Sequence, residues 1–251
     1  MGDFADGESV WIERQGNLRN VVRHELIGRQ LAGHARRGMT VLDVGCGQGT
    51  QALRLAAAGC HVTGIDPSRA LLDWCTGDAR EQGVDVELIE GELAGLHTVL
   101  GERIFDLVCA HGLLMYLDDR NAGLALLAGR VAPGGLLSVT IRNGHSLALR
   151  PGLRGDWEET LRAFDSLEYV NELGVTARAD LLDHVEQVLE HLGLSLVAWY
   201  GVRVLNDAVP VDAPCPPREE LALLLEAEDL AGRRDPYRWM GSQLHLVARR
   251  T

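Results

Sequence analysis

Asp43 stands two residues ahead of three glycines at alternate positions, Gly45, Gly47 and Gly49, in the stretch VLDVGCGQG. Glycines at that spacing let the backbone turn tightly from strand into helix and come close to a ligand. The spacing is G-x-G-x-G, not the G-x-G-x-x-G of dinucleotide sites. A carboxylate at position 43 would also repel a pyrophosphate, which disfavours a nicotinamide oxidoreductase. It suits a ligand that carries an α-ammonium and a sulfonium. Asp66 lies 21 residues after Gly45, where an acid can accept both hydroxyls of an adenosine ribose. In the order D-P-S it could equally cap the next helix, with Pro67 at the first helical position. His111, after FDLVCA, and Asn143 and His145, in RNGHS, fall at the carboxyl ends of apolar runs, where open α/β sheets keep their sites. Capping of a loop is the alternative for the last two.

The elements that must position these residues alternate along the chain. Strand-like runs at 40–45, 61–66, 86–91, 105–112 and 134–142 are separated by helical stretches such as QALRLAAAG and SRALLDWCTGDAREQG. Near-continuous apolar strands alternating with helices predict a doubly wound α/β fold with a mostly parallel sheet. After residue 142 the pattern changes to a polar stretch reaching about residue 178. A helix (ARADLLDHVEQVLEHLG), a long strand (LSLVAWYGVRVL), a second insert with a helix (PPREELALLLEAEDL) and a final strand (SQLHLVARR) follow. One domain is expected over 1–251: a helical cap at 1–38, a ligand-binding core at 39–142, and inserts at 143–178 and 206–242 on the substrate side.

Composition removes reaction classes. All 24 basic residues are arginine, so Schiff-base chemistry, pyridoxal phosphate attachment and a P-loop lysine are excluded. The five cysteines, Cys46, Cys60, Cys75, Cys109 and Cys215, have no CxxC spacing, which predicts buried thiols and neither bridges nor a metal site. An acidic N-terminus without an apolar leader, and no apolar run of about 18 residues, predict a cytoplasmic protein that does not enter a membrane.

VLDVGCGQG, VTGID, FDLVCAHGLLMYLDD and VAPGGLLSVTIRN together resemble, in order and spacing over residues 39–143, the motifs of class I S-adenosylmethionine-dependent methyltransferases. The resemblance implies S-adenosylmethionine as cofactor, S-adenosylhomocysteine as product, and a Rossmann-like, seven-stranded sheet whose last strand is antiparallel. GNLRNVVRHELI, RNGHSLALR, GVRVLND and QLHLVARR are further similar to the tRNA 5-carboxymethoxyuridine methyltransferase branch, which esterifies a carboxylate on a modified wobble uridine. That resemblance implies that Arg19 pairs with the methionine carboxylate and that Gly45 and Cys46 line the methionine. It further implies that Asp66 holds the ribose, Leu93 and Ala94 flank the adenine, and His111 sits at the reactive end. Asp43 and Gly47 belong to the same turn. Two features depart from the branch: Arg142 stands where an aromatic is expected, and FDSLEYVNELGV replaces a lysine-rich stretch. Without the resemblance, Arg19 reads as a solvated helical charge.

The net charge of −12 opposes nonspecific binding to nucleic acid, yet residues 14–37 hold six arginines against one acid, and residues 142–155 hold three against none. These segments could grip an anionic substrate. A carboxylate acceptor is already ionised at neutral pH and needs an anchor more than a base, which points to Arg142, Arg154 or Arg203, with His111 and His145 shaping the site. An alcohol or amine acceptor would instead require one of these histidines to take a proton. Possible partners are therefore tRNA or a small anionic metabolite; a noncatalytic S-adenosylmethionine-binding subunit is the reading of another class. Trp157, Tyr169, Tyr237 and Trp239 could stack a base, although core packing is the expectation, and His245 reads as structural.

Overall fold

A computed structural model of the chain describes residues 16–171 and 174–251. In chain order the elements are α1 (Leu18–Ala32), β1 (Thr40–Val44), α2 (Thr50–Ala57), β2 (His61–Asp66), α3 (Arg69–Gln82), β3 (Val86–Glu90), α4 (Leu96–Leu100), β4 (Phe105–Ala110) and α5 (Arg120–Ala128). They continue with β5 (Val131–Arg142), α6 (Leu149–Leu153), α7 (Trp157–Asp165), β6 (Glu168–Val170), β7 (Thr176–Arg178), α8 (Leu182–His191), β8 (Leu194–Val202), α9 (Arg218–Arg233) and β9 (Gln243–Arg250). Seven strands form one sheet in the order β3-β2-β1-β4-β5-β9-β8, mostly parallel with an antiparallel last strand, as the alternating pattern and the resemblance predict.

The described residues divide into two compact units, one of Gly28–Thr140, Glu186–Ala198 and Leu246–Thr251, the other of 16–27, Ile141–Val185 and Trp199–His245. In the first, β1 lies parallel between β2 and β4, with Asp43 opposite Gly64 on one side and Cys109 on the other. Val41, Leu42, Ile65, Leu107, Val108 and Cys109 are fully buried there, each large side chain contributing about 1.5–3 kcal/mol. Strand order reverses between β1 and β4, the point at whose carboxyl ends open α/β sheets bind their ligands.

In the second unit the residues after 142 hold more regular structure than their polar composition suggests. Helices α6 and α7 form, and Thr176–Arg178 pairs with Glu168–Val170 as a hairpin where the start of a helix is predicted. Main-chain bonds hold the following residues extended: Asp180 N–H donates to Arg142 O, and Gly144 N–H donates to Asp180 O. Strand β8 stops at Val202, three residues short of the predicted end at Leu205, because Arg203 turns into the left-handed region at φ 55°. Strand β5 starts earlier than predicted, at Val131, and its pairing with β4 is irregular between Phe105 and Leu107, beside the Gly134–Gly135 pair.

Candidate active site

The glycine turn lies in the first unit. Gly45, Gly47 and Gly49 all adopt positive φ, at 72°, 55° and 84°, which explains why three glycines stand there. An added Cβ at Gly49 would collide with the Cys75 sulfur, whereas at Gly45 it would meet only Leu113, at 3.7 Å. The N–H groups of Gly45 and Cys46 donate to Ile65 O at 2.8 and 3.1 Å, which ties the turn to the end of β2. Asp66, buried at that end, accepts from Gly47 N–H at 2.8 Å and from Ser68 N–H at 2.9 Å. The cap of α3 is therefore Ser68, whose hydroxyl accepts from Leu71 N–H, and Asp66 faces the glycine turn.

Asp43 is buried beneath that turn. Burial, and then the nearby charge of Asp66, raise its carboxyl to about 7. Burial and the same two acids push the Cys46 thiol far up, so it stays neutral. Leu93 is buried and Ala94 exposed in the short turn after β3. His111 follows β4 and its Nε2 lies 2.9 Å from Ser138 Oγ on β5. Asp43, Gly45, Cys46, Gly47, Asp66 and His111 thus all fall at the carboxyl end of adjacent strands.

A second cluster lies in the other unit, and its centre was not predicted. Asp207 accepts at 3.2 Å from Arg19 and at 3.0 Å from Arg150, and it pairs with Arg203 at 3.1 Å and Arg142 at 3.9 Å. Arg19, Arg142 and Arg203 are 2, 3 and 8% exposed, so Arg19 is not the solvated helical charge that its neighbours suggest. Burial alone would raise the Asp207 carboxyl, but Arg203, Arg150, Arg142 and Arg19 outweigh it and hold the group well below the usual carboxylate range. Burial lowers Arg203 to about 9 and also lowers Arg142, beside which Arg150 adds repulsion. Nε and Nη1 of Arg142 are buried without a hydrogen-bond acceptor, and its guanidinium carbon sits 5.3 Å from the Tyr169 ring centre. Four guanidiniums around one carboxylate leave this buried cluster with an excess of positive charge, the chemistry that holds an oxyanion.

The remaining predicted residues fall outside these clusters. Arg154 is exposed and donates to Ala208 O and Val209 O. His145 is exposed, its ring edge-on to Trp239 at 5.8 Å. Asn143 is a loop cap, accepting from His145 N–H and donating to Trp239 O and Gly241 O. The aromatics of the inserts do not pack in the core as predicted: Trp157, Tyr237 and Trp239 are 67, 51 and 37% exposed, because α7 and the turn at 237–240 carry them on outward faces. His245 is buried beside Tyr200. Four cysteines are buried thiols; Cys215, in a proline-flanked loop, is exposed. Arg14 and part of FDSLEYVNELGV lie outside the described residues.

The pattern that defines the methyltransferase domain family matches residues 41–135, the stretch from β1 to the start of β5. The chain is 27% identical to the tRNA 5-carboxymethoxyuridine methyltransferase of Escherichia coli strain K12, over 96% of this chain and 92% of that one. It is 29% identical to a ubiquinone biosynthesis O-methyltransferase of Alkalilimnicola ehrlichii, over 71% and 78%. The magnesium protoporphyrin IX methyltransferase of Synechocystis PCC 6803, solved with S-adenosylhomocysteine, superposes with a TM-score of 0.61 at 17% identity, covering 98% and 94% of the two chains. Residues 41–135 match a methyltransferase domain, and the seven-stranded sheet has the class I methyltransferase fold. S-adenosylmethionine is the cofactor of this methyltransferase, and it supplies a methyl group on a cationic sulfur. The turn fits it. Left-handed glycines leave the main chain bare at the strand end, and two buried acids, Asp43 and Asp66, stand at that end in a site that a cationic nucleoside would favour.

Sequence reasoning missed Asp207. Asp207 is an acid in a short stretch that also holds Arg203, and nothing in its spacing marks the three arginines that reach it from positions 19, 142 and 150.

Proposed function

We propose that this methyltransferase esterifies a carboxylate, and that the carboxylate belongs to a modified wobble uridine of tRNA. The observation that carries the reading is the gathering of Arg19, Arg142, Arg150 and Arg203 on Asp207, with two buried N–H groups of Arg142 lacking an acceptor. A carboxylate acceptor is ionised at neutral pH, so the residues it needs are forked cations that hold and aim it; no base is required. Similarity to the tRNA-modifying relative over nearly the whole chain supports the same substrate. In this reading Asp43, Gly45, Cys46 and Gly47 cradle the methionine end of the cofactor, Asp66 takes its ribose, and Leu93 and Ala94 its adenine. Arg142 or Arg203, both in the cluster, anchors the acceptor in place of the exposed Arg154, while His111 and His145 shape the site. The enzyme works in the cytoplasm, where tRNA is.

A small anionic metabolite would use the same arginines. The net charge of −12 and the similarity to a ubiquinone-pathway O-methyltransferase favour that second reading. The test is methyl transfer from labelled S-adenosylmethionine to bulk tRNA and, separately, to a small-metabolite extract, both from a host strain lacking this gene, followed by nucleoside mass spectrometry. Label in a uridine ester is the expected result. Label confined to metabolites would discard the RNA substrate, and no label in either fraction despite cofactor binding would favour a noncatalytic subunit.

A further inference from the structure

Glu228 lies in the middle of α9 with no exposed surface, an unusual place for a carboxylate. Its two oxygens accept from three successive main-chain groups: Val204 N–H at 2.8 Å, Leu205 N–H at 3.0 Å and Asn206 N–H at 2.8 Å. These residues lie between Arg203, held at φ 55°, and Asp207, the carboxylate that gathers the four guanidiniums. Consecutive N–H groups converge on one acceptor only if the chain curls around it, so Glu228 shapes this turn as a bound anion would.

The approach of α9 depends on glycines. A Cβ on Gly232, one helical turn beyond Glu228, would collide with Gly201 O, and a Cβ on Gly201 would collide with the main chain of Arg238. Close contact of bare main chain brings the helix near enough for the Glu228 side chain to reach the turn. A buried carboxylate is costly, and an apolar side chain could fill the same volume; its use here serves geometry.

We infer that Glu228 is a positioning residue of the oxyanion site: by fastening the 204–206 main chain it presents Arg203 and Asp207 to Arg19, Arg142 and Arg150, and so sets the grip on the ligand's oxyanion. This rests on the reading of the arginine cluster as an anion site. It adds to that reading a residue that touches neither ligand nor cofactor.

The test uses the full chain, malonate as a dicarboxylate probe read by calorimetry, and 5′-methylthioadenosine, which lacks the amino-acid carboxylate, as a probe of the nucleoside site. E228Q keeps size and one acceptor oxygen but turns an amide N–H₂ toward the three donors. It is expected to weaken malonate binding tenfold or more while methylthioadenosine affinity stays within twofold of wild type. E228D keeps the charge on a shorter arm and is expected to show an intermediate loss; malonate affinity at the wild-type level in both variants would overturn the inference. D207N is expected to weaken malonate binding as well, and the E228Q/D207N double variant to lose no more than the worse single one, since both act on one turn. Additive losses would overturn it, assigning Glu228 a separate, general role. Wild-type protein that binds methylthioadenosine but not malonate would overturn both this inference and the anion-site reading, whereas wild-type binding that the Glu228 variants leave unchanged would overturn this inference alone. Where E228Q activity is measurable, the loss is expected in KM for the acceptor, with kcat changed less than threefold.

Discussion

Asp43 and Gly49 show at the residue scale how the turn after β1 works. Burial, with the Asp66 charge added, raises the Asp43 carboxyl to about 7, against 3.8 for the free group. The fold therefore holds the proton more tightly than the unfolded chain does, and this group's contribution to stability falls as pH rises from about 4 to about 7. A cation placed beside it reverses the preference by favouring the ionised form. S-adenosylmethionine affinity is accordingly expected to rise with pH through about 7 and then level off. Asp43→Asn should flatten that profile and weaken binding roughly tenfold at pH 8; calorimetry at several pH values checks both. Gly49→Ala meets two obstacles, φ at 84° and the Cys75 sulfur. The expected cost is about 2–4 kcal/mol, seen as a fall in Tm on the order of 5–10 °C. Adding Cys75→Ala should recover part of the loss, because the left-handed strain remains.

At the scale of elements, Asn143 fastens the loop after β5. Its side chain bonds to Trp239 O and Gly241 O, both at 2.8 Å, and receives His145 N–H, while Ser146 Oγ also donates to Gly241 O at 2.8 Å. Asn143→Ala takes the side-chain partner from Trp239 O and from His145 N–H, while Gly241 O keeps Ser146 Oγ, for an expected loss of about 1–3 kcal/mol in denaturant unfolding, with faster hydrogen exchange across residues 239–246. Helix α7 presents the opposite case. Trp157, Leu161 and Phe164 recur at helical spacing and are 67, 68 and 75% exposed, so the stripe is not spent on the core of its own unit. Replacing all three by glutamine is expected to leave stability within about 0.5 kcal/mol per site, measured by the same unfolding curves.

Charge distribution is the property of the whole molecule that bears on its substrate. The formal charge of −12 arises although two arginine-rich segments are strongly positive, so the rest of the chain is more acidic still. Arg19, Arg142 and Arg150 of those segments are turned inward to Asp207, which leaves fewer arginines for phosphates. On the proposed tRNA reading, binding of an anticodon stem-loop is therefore expected to depend shallowly on salt, with a slope of log K against log salt of about −2, as for roughly three neutralised phosphates. A slope of about −6 would mean that the enzyme coats the RNA backbone, contrary to its charge. The same measurement with an unmodified stem-loop should show weaker binding at the same slope, since the lost carboxylate is not a phosphate contact.

The strand and helix alternation, the order of the motifs and the turn chemistry of Gly45, Gly47 and Gly49 were legible in the sequence, because each depends on spacings of a few residues that hydrophobic burial and main-chain sterics dictate locally. So was the class of cofactor, through Asp43 and the resemblance of the surrounding motifs. The outward aromatics, the hairpin at 168–178 and the early end of β8 were not, since side-chain exposure and left-handed turns at non-glycine residues answer to distant neighbours. Most distant of all is the Asp207 cluster. Its members lie up to 188 residues apart, and an arginine that will be buried against a carboxylate has the same sequence surroundings as one that will be solvated. Charge pairing carries no periodicity along a chain, and only folding decides which guanidiniums a single acid will collect.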